Sequence, residues 1–582
     1  MNSFSNLHLL IEKNPGKAFG LTLVFLAAFQ LISVYIGFEL CDSGFYMTFY
    51  DNIFKAPEDV EYNFMFYLSG IIGGFFMTLF PNMGIFDMRL LGVVNNIITI
   101  YLLYCLLRKQ IGMSAIIIGT IIVTISYVAM PMTFCYDLLT CLLYVLSILY
   151  LFKGLNQNNN LYLIISGIII GLNVFVRIPN ILGYGVILFI ILYALYHKTA
   201  TRFCIIKCTI FTLSFIIGVI SVILFMKSLG HYEYFINNLH ELFFTAKDDS
   251  GTSSHSLNSM ILAQIRIYYS VLKFGIKLAL LYVIFFASAK YIRKTFLQLL
   301  IQIIVFTLIA ILFYKENAVI ILCIFSMIGA LGNIILRKNK NIKMLSWAGL
   351  FMMLVIPLGS DGGMYNNGSI IYWIAMPMAI SFYISIDKTI TPILPVKKIR
   401  QTLLLTLSVY IFVCGIKAVY DGVYFDGGML FEKRYSIHSE RTKHIYTSQE
   451  RADIINKLLE GIKPYIQKDD YLFAYGSFPA INYMTHTRPF IGCSWPEMLN
   501  VPLLKHKIEN YTGALPIILK QKFNSVGKEF KKPNNEETPF RNNEKDKIIN
   551  DFIEKNNYMI TFENEYFVLF LPQKEEYIEN PK

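Results

Sequence analysis

Two carboxylates stand close together in Phe38-Glu39-Leu40-Cys41-Asp42-Ser43-Gly44-Phe45-Tyr46, directly after the first long apolar run, Ala18 to Gly37. A carboxylate just past the end of a membrane span meets water, so its charge there is tolerated, and it faces the lipid–water boundary. If that boundary is the outer one, Glu39 or Asp42 can take a proton from a substrate held at the surface. Solvating the loop is the competing reading of the same pair. Asp137, in Phe134-Cys135-Tyr136-Asp137, falls at the tip of a later hairpin between apolar runs. Arg177, in Val176-Arg177-Ile178-Pro179-Asn180, is a cation on the side where basic residues are scarce. A guanidinium there suits an anionic lipid phosphate, with interfacial snorkelling as the alternative. Two acids and a cation on three outer tips make a stronger case together than singly.

The elements that position them are membrane helices. The chain has 582 residues, is 55% hydrophobic and only 15% charged. Apolar runs of about 20 residues recur along it, long enough to cross a bilayer. The net charge of +12 does not point to nucleic acid, because Lys and Arg cluster in short loops between apolar runs, as the positive-inside bias requires. Nine cysteines are scattered without a CxxC pair, so neither a disulfide framework nor a zinc site is indicated. The first apolar run is too long for a signal-peptide core and reads as an uncleaved span.

Lys13 and Lys17 place the N-terminus in the cytoplasm. Arg108 and Lys109 follow the run Met88 to Leu107 and must share that side. The intervening run Phe64 to Phe80 therefore lies along or dips into the outer interface without crossing. Its Gly70, Gly73 and Gly74 would weaken a free-standing span. Residues 38–86 form one long external loop. Further on, Ile111–Met130, Cys135–Phe152, Leu161–Val176, Ile181–Tyr196, Ile205–Met226, a run ending at Lys290, Phe296–Phe313, Ala318–Leu336, Leu345–Leu358, Ile370–Ile386 and Thr402–Tyr420 alternate in direction. The total is about thirteen spans of roughly 20 residues. An odd number leaves the C-terminal segment outside.

The composition changes near Asp421. Glu450 to Ile466 has helical spacing, with Ile454, Ile455, Leu458, Leu459 and Ile462 on one face. Tyr471–Tyr475 and Tyr566–Leu571 are of strand length, and 528–545 is a polar loop. The expected organisation is a polytopic α-helical module over 1–420 and a small α/β extracytoplasmic domain over 421–582.

In these motifs the chain resembles the GT-C superfamily of glycosyltransferases, close to the protein O-mannosyltransferase and lipid A aminoarabinose transferase group. The family's acidic D-x-x-x-Y motif in a long first outer loop is matched by Asp42 and Tyr46. Its in-plane helices are matched by Phe64–Phe80, and its following Arg-Leu by Arg89-Leu90. Its second acid is matched by Asp137, its G-L-x-x-x-(T/V)-(R/K)-x-P segment by Gly171–Pro179, and its Tyr-x-x-x-x-Pro helix by Tyr372–Pro377. The likeness covers about Lys17 to Tyr420. Ser43 stands where the family has a second acid, and Tyr62 or Asn63 where the aminoarabinose branch has Lys.

The resemblance implies transfer of a sugar from a polyprenyl-phosphate donor to a lipid, glycan or protein acceptor, with inversion, at the outer face of a bacterial inner membrane. Asp42 would be the base and Asp137 would orient the acceptor. Glu39, Tyr46, Arg177 and Tyr372 would bind substrate, and a divalent metal (Mg, Mn or Zn) held by Asp42 and Asp137 is a further option. Lys227, Lys247 and Arg266 are other cations for the phosphate. Residues 230–260, with His231, His240, Glu241 and His255, read as a cavity lid rather than a metal site. Ser360 to Gly368, with Asp361, reads as a turn or a loop closing over sugar, and Arg488 and Trp495 as packing or glycan contacts. The rival readings are a flippase of a lipid-linked glycan and a polysaccharide polymerase or ligase.

Overall fold

The computed structural model describes residues 11–126, 133–246, 257–360, 362–386, 396–421, 423–523 and 543–573. Lys247, His255 and Asp361 lie outside the described residues. The chain forms two compact units. One contains the segment up to Ser33, Leu91–Phe225 and Met260–Asp421; the other contains Val34–Leu90, Met226–Ser259 and Gly422–Lys582.

Among the described residues ten helices are long and apolar enough to cross a membrane. Nine coincide with expected spans, and the bent pair Met364–Tyr372 and Ala375–Ile384, broken by 52°, supplies another. The expected spans over 111–130, 161–176 and 345–358 carry shorter helices among the described residues. Met113–Ser126 and Asn160–Asn173 have 14 residues each and Lys340–Val355 has 16, about 21–24 Å at 1.5 Å per residue. The tenth long helix is Pro57–Leu79, the segment expected not to cross. It has the length and hydropathy of a span, as a 3₁₀ stretch Pro57–Phe66 followed by the α-helix Tyr67–Leu79.

Among its described residues the first unit forms helices and no strand. The helix Ala375–Ile384 is buried from Ala375 to Tyr383. Three glycines on three other helices bring backbone against it. A Cβ on Gly119, Gly329 or Gly349 would lie 2.6 Å from Pro377, 2.3 Å from Ala379 and 2.7 Å from Ala375. Small residues of this kind let helices approach where apolar burial alone gives no preference over lipid. Ser147 and Ser166 pair inside at 2.8 Å, and Asn333 donates to the Met378 carbonyl at 2.9 Å. Leu224, Val283 and Phe296 stay exposed, a surface that lipid covers.

The second unit is built from three separated stretches of chain. The helix Asp42–Asn52 packs on Tyr67–Leu79 through the glycines of the latter. A Cβ on Gly73 would sit 2.4 Å from the Tyr50 ring, and one on Gly70 2.2 Å from Phe49. Those glycines serve close packing within this unit. The C-terminal part carries a five-stranded sheet of order β4-β3-β5-β7-β6, with β3 (Tyr471–Tyr475), β4 (Arg488–Pro489), β5 (Ile517–Gln521), β6 (Tyr558–Glu563) and β7 (Phe567–Pro572). β3 runs parallel to β4 and β5, while β7 is antiparallel to β5 and β6. The amphipathic helix is Gln449–Ile462, with Ile454, Ile455, Leu458 and Ile462 buried. A two-stranded ribbon, β1 (Tyr435–Ser436) with β2 (Tyr446–Thr447), precedes it.

The 226–259 stretch contains a helix, Tyr232–Ala246, anchored on the first loop. Asn238 donates to the Tyr62 carbonyl at 2.9 Å, and His231 is buried with its ring nitrogen 3.2 Å from the Tyr67 hydroxyl. Glu241 pairs with Lys507. The lid reading is thereby corrected for 232–246, which is fixed by packing and an ion pair.

Candidate active site

Asp42 is the first residue of the Asp42–Asn52 helix, and its side chain is half-buried. A carboxylate in the first turn sits favourably against the exposed N–H groups of a helix start. Its Oδ2 accepts a hydrogen bond from the Tyr424 hydroxyl, a contact between residues 382 positions apart. Burial, and next the Asp42 carboxylate beside it, raise the pKa of Tyr424, so the phenol keeps its proton and remains a donor. Glu39, three residues earlier, is buried, and its Oε1 accepts from the Ser43 N–H at the helix start. Its Oε2 is enclosed without a hydrogen-bond partner among the described residues. Burial raises the Glu39 pKa, against the lowering effect of the Ser43 contacts and the Arg89 charge. Tyr46 is buried one turn into the helix, its ring near Phe45 and Tyr50.

The backbone that delivers Asp42 is held by charge rather than by apolar packing alone. Arg89, only 5% exposed, donates to the carbonyls of Val34 (2.9 Å), Ile36 (3.2 Å) and Gly37 (2.8 Å). Gly37 has φ +81°, where a side chain is strained, and a Cβ there would collide with Val423. On the other flank Asp426, 1% exposed, accepts from the Phe38 N–H at 2.8 Å, Thr447 Oγ1 at 2.6 Å and Lys433 Nζ at 2.6 Å. Arg451 lies 3.4 Å from the same carboxylate and donates to the Phe38 carbonyl at 3.1 Å. Next along, the Leu40 carbonyl accepts from the Ala480 N–H and the Cys41 thiol donates to the Ser477 carbonyl, both at 3.0 Å. Ser477 in turn donates to Glu497 at 2.7 Å. The loop bearing Glu39 and Asp42 is therefore fixed residue by residue by the C-terminal part of its own unit.

Three site features escape a reading of the sequence: Tyr424 on Asp42, the Asp426–Lys433–Arg451 group, and Glu497. All lie hundreds of residues downstream in segments with no motif. The only sequence hint was the change of composition near Asp421. Arg488 and Trp495 also fall in this unit. Arg488 pairs with Asp59 at 2.5 Å and Glu58 at 2.9 Å, and Trp495 stacks edge-on to Phe45 at 6.1 Å.

Asp137, Arg177 and Tyr372 belong to the other unit. Asp137 opens the Tyr136–Asn156 helix, is buried, and accepts from Asn367 at 2.6 Å. Arg177 is buried, donates to the Ile356 and Leu358 carbonyls at 2.8 Å each, and lies 5.8 Å over the Tyr136 ring. A cation at those carbonyls meets the negative end of the Lys340–Val355 helix. Tyr372 is fully buried, its hydroxyl donating to the Val319 carbonyl at 2.8 Å. Among the described residues no three His, Cys, Asp or Glu side chains converge as a metal site. Asp42 and Asp137 stand in different units, so neither unit alone presents them as a ligand pair.

Residues 68–226 match the model of the dolichyl-phosphate-mannose-protein mannosyltransferase family. The stretch takes in Arg89, Asp137 and Arg177 and begins after Asp42. A crystal structure of the Archaeoglobus fulgidus oligosaccharyltransferase complex with Zn and sulfate aligns over 86% of this chain and 68% of that one, at 12% identity and TM-score 0.45. For the apo form the values are 87%, 70%, 12% and 0.44. For oligosaccharyltransferase AglB from Archaeoglobus fulgidus in complex with an inhibitory peptide and a dolichol-phosphate they are 87%, 69%, 12% and 0.43. No curated protein matches the chain. Over residues 68–226, and in its run of membrane-length helices among the described residues, the chain resembles the GT-C glycosyltransferases of the protein O-mannosyltransferase group.

Proposed function

We propose that the chain moves a sugar from a polyprenyl-phosphate donor to a lipid, glycan or protein hydroxyl at the outer face of a bacterial inner membrane, with the N-terminus cytoplasmic and the C-terminal domain outside. Asp42 removes the acceptor proton as the acceptor oxygen attacks the anomeric carbon from the face opposite the leaving group. The bond from that carbon to the phosphate oxygen breaks, the configuration inverts, and the polyprenyl phosphate departs with the electron pair. General-base assistance of this kind contributes about 10²–10⁴-fold. The observation that carries the reading is the placement of Asp42. It stands half-buried at a helix start, eight residues past a span ending at Val34, with Tyr424 on one oxygen.

Glu39 and Tyr46, beside this base in its own unit, bind the substrate, and Arg177, in the other unit, is the cation proposed for the phosphate. Asp137 and Tyr372, also in that unit, are proposed for acceptor orientation and substrate binding. The proton and phosphate steps are assigned to these side chains. A divalent ion such as Mg, Mn or Zn would need ligands beyond the carboxylates that each unit presents.

The test is donor choice in proteoliposomes containing the full chain. A sugar carried on a monophosphate isoprenoid should be transferred with inverted anomeric configuration. Transfer only from a diphosphate-linked oligosaccharide would mean a polymerase or ligase. Movement of the glycolipid across the bilayer without bond cleavage would mean a flippase. Either result removes the proposal.

A further inference from the structure

The ribbon before the sheet is hydrogen-bonded to the residues that follow the Pro15–Val34 helix. The Tyr446 N–H donates to the Tyr35 carbonyl at 2.9 Å, and the Gly37 N–H donates to the Tyr446 carbonyl at 2.8 Å. Tyr35 and Ile36 are the first residues past the Pro15–Val34 helix, whose 20 residues have the length of the hydrocarbon layer. The headgroup layer adds about 5–7 Å on each side, and two extended residues reach about 7 Å. Chain continuity thus keeps Tyr446 close to the end of that helix. A second span end flanks it. Phe86, near the start of the Ile85–Leu107 helix, has its ring 5.4 Å from His444 and 4.9 Å from Tyr35.

The side chains around this point match the location. Tyr35, Tyr446 and Tyr435 are 43%, 37% and 44% exposed. Rings with one polar end are the residues that settle at headgroup level. Beside them an open cleft of about 500 Å³ has His438, Lys443, His444 and Tyr446 on its walls and Ser436 and Ser439 as hydroxyl donors. Glu440 is the acid on the same rim. Lys443 is exposed at the lip.

We propose that this cleft binds the phosphate headgroup of an anionic membrane phospholipid, with Lys443 against the phosphate and the tyrosines among the glycerol and upper acyl carbons. The site is separate from Asp42 and does not depend on the reaction assigned to it. Its consequence is mechanical. The same short segment, residues 34–38, carries the Arg89 and Asp426 contacts that hold the Asp42 loop, so a lipid seated on the ribbon braces that loop against the bilayer.

The experiment uses the full chain in vesicles of phosphatidylcholine with a minor share of phosphatidylglycerol. Native mass spectrometry after detergent release counts the phosphatidylglycerol retained by wild type, Lys443→Ser and Lys443→Arg. Removing one basic residue at a headgroup surface lowers retention about fivefold, so Lys443→Ser should lose roughly that much. Lys443→Arg should keep it, and all three should unfold thermally alike. Equal retention by Lys443→Ser and wild type would overturn the proposal, as would retention of phosphatidylcholine in equal measure. Excess inorganic phosphate should leave retention unchanged; displacement by it would show a free-phosphate site and overturn the lipid assignment.

Discussion

Replacing Asp426 by Asn tests how the Asp42 loop is held. The carboxylate is 1% exposed and receives Phe38, Thr447 and Lys433, with Arg451 at 3.4 Å. Asn keeps the shape and one acceptor but turns N–H groups toward Lys433 and removes the charge. Lys433 has no side-chain exposure and Arg451 has 5%, so both cations stay buried without their counter-charge. Removing one partner of a buried pair costs about 3–5 kcal/mol, a large part of the roughly 5–15 kcal/mol that holds a domain together. The local readout is hydrogen exchange of amides 35–45 in the full chain. A loss of 3–5 kcal/mol speeds their exchange by about 10²–10⁴-fold, since 1.4 kcal/mol is a factor of ten. Transfer activity should fall with it, because a shift of about 1 Å in a catalytic group can cost 10²-fold. Adding Lys433→Met to Asp426→Asn should recover part of the protection, since removing both members of a buried pair is far milder than removing one. Exchange unchanged within threefold in the single variant, or worse protection in the double, would refute the reasoning.

Tyr424→Phe deletes the hydrogen bond to Asp42, and bonds to a charged group contribute about 1.5–3 kcal/mol. The turnover number should drop roughly 10–100-fold with KM little changed, read from steady-state transfer rates. Glu39→Gln keeps the acceptor for Ser43 but removes a carboxyl whose pKa burial has raised. Above the ordinary value of 4.5 the unfolded chain gives up this proton more readily than the folded one, so wild-type stability falls as pH rises from there toward the folded value. Thermal unfolding as a function of pH should therefore show Glu39→Gln gaining on wild type across that window, while transfer is lost; no gain would contradict the burial argument. Gly73→Leu forces a side chain into the Tyr50 ring and should cost about 1–3 kcal/mol or more, visible as a lowered melting temperature.

The membrane helices were legible because apolar runs of span length and basic loop clusters are strong local signals. Where the reading failed, the local signal was met by a tertiary one. Gly70 and Gly73 argued against a free-standing span, yet their use is close contact with Phe49 and Tyr50 of the preceding helix. Asn160–Asn173 sits in an apolar run whose helix is shorter than span length. His231, His240 and Glu241 resembled a polar lid, but apolar spacing in Tyr232–Ala246 and the Lys507 pair anchor that stretch. For the site, the sequence marked Glu39, Asp42 and Tyr46 by position and motif. It was silent on Tyr424, Asp426 and Glu497, since contacts across nearly 400 residues leave no periodicity. The assignment of Arg89 as a motif residue carried no role; the structure shows its guanidinium on three carbonyls of the loop leading to Asp42.

The central claim is that Asp42 takes the acceptor's proton. Single-turnover transfer by the full chain in proteoliposomes, loaded with a polyprenyl-monophosphate sugar, measures that step without product release. Asp42→Asn, an isosteric change at a half-buried helix start, should lower the rate about 10²–10⁴-fold while donor binding and thermal unfolding stay as in wild type. A rate within threefold of wild type in a folded, donor-loaded Asp42→Asn protein would contradict the account.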